Sequence, residues 1–386
     1  MKNKLLLFGA GKIGRSFIAQ LFSCSHYEVV FVDVNKAVID AINERKEYRV
    51  CIKDKVPSEI KVSSIRGVLA DDEEAIINEI VDSQYIAVSV GQKGLEMIVP
   101  LLAKGLWSKY SSNPKACTDI IIAENLREAD LFLKNKIRAE MASDYPLEKL
   151  VGFVETSIGK MVPIMPTHEV DDDPLLVYAE AYNTLILDKK AFHNPIPDVI
   201  GLAPKENMKA WVDRKLFIHN LGHAITAYFG ALKHPEMTYL FEVLADLEIA
   251  NKVRLAMGEA AQVLQLLYPK EFTQEQLDEH INDLIERFQN KALGDTVYRV
   301  GSDLRRKLAY DDRLVAPIRI AIDNHLPCSN MLEGFRAAFE FKANDEMGCS
   351  NSEDKKIVTE FNTKGMSHVI KKYADINPLK YSRFYR

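Results

Sequence analysis

Two spacings of apolar residues divide the chain. In its first half, short apolar blocks alternate with helical patterns. Lys4-Leu5-Leu6-Leu7-Phe8 is one such block, and Ile13, Phe17, Ile18, Leu21 and Phe22 then recur at helical intervals over residues 11–23. A second block, Glu28 to Val32, closes on Asp33 and is followed by a helical stretch from Lys36 to Glu44. Residues 48–69 read as short strands or turns and 71–80 as an acidic helix, while Tyr85 to Val90 and Ile120 to Ala123 read as further buried strands. Strands alternating with helices predict an α/β fold, a doubly wound parallel sheet covered on both faces. From about residue 195 the spacing becomes helical almost throughout, over 206–230, 237–267, 273–289 and 313–324. The tail from Cys349 is polar but keeps helical spacing at Ile357 and Phe361. The stretch His193-Asn194-Pro195-Ile196-Pro197 marks the expected boundary. It gives a sheet domain over 1–194 and a mostly α-helical catalytic and substrate domain over 195–386.

The first strand and helix are joined by Gly9-Ala10-Gly11-Lys12-Ile13-Gly14, a G-x-G-x-x-G loop. In that context its glycines allow a tight turn, close approach of backbone to a pyrophosphate, and close packing of helix on sheet. The helix start behind it offers free N–H groups and partial positive charge to phosphates. Asp33 lies 19 residues beyond Gly14, at the end of the second strand. A carboxylate there accepts from ribose hydroxyls and repels a 2′-phosphate, which predicts a Rossmann-type domain that binds NAD in preference to NADP. Ser89 and Val90, and Glu124-Asn125, end later strands at the edge where such sheets bind ligands.

Candidate chemistry sits at the start of the helical half. Lys215, Asn220 and His223 form Lys-x4-Asn-x2-His. On an ideal α-helix they point to about 0°, 140° and 80°, one side of the helix. Leu216, His219 and Gly222 share that side and make it partly apolar, so desolvation can lower the lysine pKa. Such a lysine can take the proton from an alcohol as hydride leaves, while an amide and an imidazole donate to the developing alkoxide.

Composition narrows the rest. The chain has 386 residues, 47% hydrophobic and 27% charged, the balance of a two-domain globular protein. A net charge of -5, from 50 Lys and Arg against 55 Asp and Glu, argues against a nucleic-acid partner. The apolar run after Lys4 is too short for a secretory leader, and no run reaches the ~18–20 residues of a membrane span. Five scattered cysteines without a C-x-x-C pair suit reduced thiols in the cytoplasm. A monomer or small homo-oligomer without membrane or nucleic-acid partners is expected.

These residues resemble the polyol-specific long-chain mannitol dehydrogenase family along essentially the whole chain. The likeness rests on Phe8-Gly9-Ala10-Gly11-Lys12-Ile13-Gly14-Arg15, Glu124-Asn125, Arg214-Lys215-Leu216-Phe217, and the run from Asn220 to Tyr228. It implies metal-independent catalysis with Lys215 as general base, Asn220 and His223 holding the reacting oxygen, and Asn125 near the substrate. The length matches the family's sugar-phosphate members, implying interconversion of mannitol 1-phosphate and fructose 6-phosphate. The family's Val-Asp-Arg-Ile-x-Pro is altered here to Ile158-Gly159-Lys160-Met161-Val162-Pro163. With Gly159 in place of the aspartate, another polyol or a hexuronate is the alternative substrate, and Glu155 is a nearby carboxylate that could replace it. Phosphate needs cations. Arg305, Arg306 and Arg313, in a run that also holds Arg299 and Lys307, are the candidates, together with Lys160.

Rival readings carry specific marks. His219 and His223 have the spacing of zinc ligands, but Asn220 stands where H-E-x-x-H has glutamate. A β-hydroxyacid dehydrogenase has Lys-x3-Asn, whereas position 219 here is histidine. A regulator that senses NAD without turnover would have no use for the Lys215 set.

Overall fold

In chain order the strands of the computed structural model are β1 (Lys4–Phe8), β2 (Glu28–Asp33), β3 (Glu47–Ile52), β4 (Ser58–Ser63), β5 (Ile65–Leu69), β6 (Tyr85–Val88), β7 (Thr118–Ile122), β8 (Val151–Ser157), β9 (Val177–Ala179), β10 (Leu185–Asp188) and β11 (Leu202–Lys205). The structure describes residues 3–163, 165, 169, 172–345 and 347–385. It divides into two compact units, Met1–Met208 and Lys209–Arg386.

In the first unit an eight-stranded sheet runs β11-β10-β8-β7-β6-β1-β2-β5, and a small second sheet runs β4-β3-β9. From β5 to β8 every neighbouring pair is parallel. The strand order reverses at β1, which pairs with β2 on one side and β6 on the other. Reversal leaves a crevice at the carboxyl ends of β1 and β6, where ligands of such sheets bind. Continuous apolar runs are explained by burial on both faces. Leu5, Leu7, Val29, Phe31 and Ile121 enter the core on one face. Leu6, Phe8, Val30, Val32, Ile120 and Ile122 enter the core on the other. Each such side chain stabilises the unit by about 1.5–3 kcal/mol relative to exposure.

The sheet is not parallel to its end, because β10 runs antiparallel to β8. It also continues past the expected boundary at residue 195, since β11 pairs with β10 and the unit closes at Met208. The His193–Pro197 stretch is fastened to the sheet rather than free as a linker. The buried Asp119 carboxylate accepts from the backbone N–H of His193 and of Asn194, at 2.8 and 3.0 Å. Tyr85 Oη donates to the Pro195 carbonyl at 2.6 Å.

The second unit is helical. Its central helix, Leu221–Lys233, is buried from Leu221 to Gly230 except at His223. The helices Leu247–Leu267, Gln274–Phe288, Val315–Asp323 and Ser329–Ala337 also belong to this unit. The expected helix 237–267 is two pieces, Leu240–Val243 and Leu247–Leu267, because Asp246 caps the second by accepting from Glu248 and Ile249 N–H. No helix among the described residues is long and apolar enough to cross a membrane.

Candidate active site

The glycine loop sits at the reversal of the sheet. Gly9 adopts φ 99°, and a Cβ there would lie 2.1 Å from the Ser89 carbonyl oxygen, so both conformation and space require glycine. Gly14 packs the helix start onto the loop: a Cβ on it would lie 2.1 Å from the Gly9 carbonyl oxygen. Gly11 differs, with nothing within 4 Å of the position its Cβ would take. That open backbone, next to exposed Lys12 and half-buried Ile13, is where a ligand can approach closely. Asp33 accepts from Ala10 N–H at 2.6 Å and from Asn35 N–H at 2.8 Å, which ties the loop to the end of β2. A cavity of about 700 Å³ lies against Gly9, Gly11, Asp33, Ser89 and Val90, with Val34 and Met97 as apolar walls. A glycine loop, a carboxylate at the rim and an apolar slot fit a dinucleotide.

Glu124 closes this edge. Its Oε1 accepts from Val90 and Gly91 N–H at 2.6 and 2.8 Å, capping the helix Gly91–Ser112, and burial pushes its carboxyl pKa up. Asn125, next in the chain, is exposed beyond the end of β7. Lys160 is buried in the same unit. It donates to Asn183 Oδ1 at 3.1 Å and Gln20 Oε1 at 3.4 Å, and its ammonium lies 5.2 Å from the centre of the Phe17 ring. Gly159 faces Tyr182, whose ring begins 3.4 Å from where a Cβ would lie. Glu155, at the end of β8, has its pKa pushed up to about 7, chiefly by burial and then by Asp130.

In the second unit, Lys215–Asn220 is a π-helical turn set between Met208–Arg214 and Leu221–Lys233. A π turn bonds residues five apart, so it stacks Asn220 over Lys215 more closely than the ideal α-helical angles imply. Lys-x4-Asn is the spacing that such a turn needs. The turn before it is stiffened by Arg214, whose guanidinium lies 4.3 Å from the Trp211 ring centre, and by Tyr268 Oη donating to Asp213 at 2.5 Å. Lys215 has its pKa pushed down to about 8, first by loss of water and then by Arg313 and Arg306.

His223 stacks on Phe288, ring centres 4.6 Å apart, and its Nε2 lies 3.0 Å from Oδ2 of buried Asp295. The other oxygen of Asp295 pairs with Arg299. Asp295 is held in turn by its backbone, since Leu240 N–H donates to its carbonyl at 2.9 Å. His219 is buried beside His223 at 6.0 Å between ring centres. Groups of three or more potential metal ligands are absent among the described residues.

The cations separate into different settings. Arg313 is buried and donates to Asp312 at 2.8 Å, while exposed Arg306 donates to Asp303 at 2.5 Å. Both act on Lys215. Arg305 is exposed and reaches Glu353 at 3.8 Å. Lys307 is buried, donates to the carbonyls of Val300 and Ser302, and has its pKa pushed down to about 7 by burial and these arginines.

Comparison with known proteins gives the same two-part division. The model of the mannitol dehydrogenase Rossmann domain matches residues 3–201, and that of the mannitol dehydrogenase C-terminal domain matches residues 207–374. Among solved structures, the mannitol 2-dehydrogenase of Pseudomonas fluorescens, in ternary complex with NAD and D-mannitol, is 15% identical with a TM-score of 0.74. The alignment covers 100% of this chain and 91% of that one. A D-sorbitol dehydrogenase in substrate-free form is 16% identical with a TM-score of 0.79, covering 100% and 92%. At such identities the structural likeness establishes the fold.

Proposed function

The chain belongs to the mannitol dehydrogenase family, and from that premise we propose that it is an NAD-dependent, metal-independent dehydrogenase interconverting D-mannitol 1-phosphate and D-fructose 6-phosphate, of the mannitol-1-phosphate 5-dehydrogenase type. The observation that carries the reading is Lys215, a lysine with its pKa near 8, on one helix with Asn220 and His223. The glycine loop and Asp33 hold the dinucleotide, which when bound supplies the hydride acceptor or donor. In the oxidative direction Lys215 Nζ takes the proton from the hydroxyl on C5 of mannitol 1-phosphate. That carbon gives up hydride and becomes C2 of the ketose. Asn220 donates its amide N–H to the developing alkoxide. Arg306 and Arg313, with Arg305 and Lys160 as further candidates, supply positive charge for the phosphate. Five free cysteines, two of them exposed, support a reducing compartment such as the cytoplasm.

Gly159 favours a second reading, in which the family's catalytic helix serves another polyol or a hexuronate. The test is NADH oxidation with fructose 6-phosphate and fructose side by side, with and without a chelator. Chelator-resistant turnover with a preference of about 10–100-fold for the phosphate ester is expected, the yield of one or two charge-assisted hydrogen bonds. Turnover of fructose or of a hexuronate alone would replace the substrate. NAD binding with no turnover of any of them would favour a sensing role.

A further inference from the structure

We propose that Asp295 is a positioning residue that fixes His223 as its Nε2–H tautomer, so that the imidazole meets the sugar as a hydrogen-bond acceptor at Nδ1. The inference rests on the function proposed above and deepens it.

His223 Nε2 lies 3.0 Å from Asp295 Oδ2. An ionised carboxylate can only accept, so the ring nitrogen facing it carries the hydrogen. Arg299, paired with the second oxygen of Asp295, favours the ionised carboxylate. With the proton on Nε2, a neutral imidazole has a bare lone pair on Nδ1. The ring stays neutral because burial and the cations Arg299, Lys307, Arg313 and Arg287 hold its pKa well below 6.5.

Rotation of the ring is restrained from two directions, by the carboxylate at its edge and by Phe288 stacked on its face at an interplanar angle of 17°. Asp295 itself has 6% of its side chain exposed, and its backbone is bonded to Leu240, so the carboxylate is a fixed reference rather than a mobile partner.

The division of labour follows. Donation to the alkoxide falls to Asn220 and to the ammonium that Lys215 becomes, while His223 accepts from a hydroxyl of the sugar. An acceptor distinguishes a carbon bearing a hydroxyl from one bearing a carbonyl or hydrogen, so His223 contributes recognition rather than proton transfer.

The test uses the full chain labelled with 15N-histidine, the His223 signals being assigned by their loss in His223→Gln. The wild type is expected to show a protonated Nε2 and an unprotonated Nδ1 without any substrate present. In Asp295→Asn the amide can donate to Nε2, so the proton moves to Nδ1 and turnover falls about 10–100-fold, the loss of one hydrogen-bond acceptor for the sugar. NADH affinity stays within about twofold, and Asp295→Glu restores the wild-type tautomer with part of the turnover. A wild-type ring protonated at Nδ1 would overturn the proposal, as would Asp295→Asn with unchanged tautomer or turnover. The tautomer is read without substrate, so failure of the sugar-phosphate assignment would appear separately, as inactivity of the wild type.

Discussion

Lys215 loses water on folding and gains Arg313 and Arg306 as cationic neighbours, and both effects favour its neutral amine. The sign for catalysis follows directly. Alcohol oxidation needs the free amine, so kcat/KM in that direction falls as pH drops below about 8; ketose reduction needs the ammonium and falls as pH rises above it. Arg313→Leu removes one repelling charge, raises the lysine pKa, and moves both breaks to higher pH. Unmoved breaks in the pH profiles would assign the titration to another group. Lys215→Ala is expected to lower turnover by about 10²–10⁴-fold while leaving NADH binding, followed by fluorescence, intact. Asp33 presents a separate residue-scale test. Asp33→Ala should erode the preference for NAD over NADP, measured as the ratio of kcat/KM values. Lys215 and Asp33 are candidates from the sequence alone, one by the spacing of its helical neighbours and the other by the apolar run of its strand; that Arg313 and Arg306 act on Lys215 came only from the structure.

Among the elements, the π turn Lys215–Asn220 alters what the sequence pattern implies. Ideal α-helical angles put Lys215 and Asn220 at the two limits of one face; the wider turn stacks them. In the proposed reaction an amide placed there would serve the same oxygen that the lysine deprotonates. Asn220→Ala should therefore cost about 10²–10³-fold in kcat, with less effect on KM, as for loss of one alkoxide donor. A raised KM with kcat unchanged would place Asn220 in ground-state binding instead. The helix Gly91–Ser112 illustrates the converse limit. Its start is capped by Glu124, more than thirty positions away, so the cap could not be read from the local pattern. In the sequence Glu124 is marked only by the end of its strand and by the Glu124-Asn125 pair, neither of which points to a cap.

For the whole molecule, a net charge of -5 coexists with Arg306, Lys307 and Arg313 gathered near Lys215 and His223. Charge summed over the chain says little about the field at one site. If those cations hold the phosphate, raising ionic strength from about 0.01 to 0.15 M shortens the screening length from ~30 to ~8 Å. KM for fructose 6-phosphate should then rise while that for fructose stays level; parallel responses would remove the cations from the phosphate role. The sequence by itself determined the α/β and helical halves and the glycine loop, and it singled out Asp33 and the Lys215, Asn220 and His223 set as candidates. Each of these is written in periodicity or spacing over about twenty residues or fewer. Only the tertiary structure decided that the Pro195 stretch is fastened by Asp119 and Tyr85, carrying the sheet on to Lys205. It alone also joined His223 to Asp295, 72 positions apart. Those contacts depend on where packing brings distant segments of chain, and no local pattern of apolar and polar residues encodes that distance.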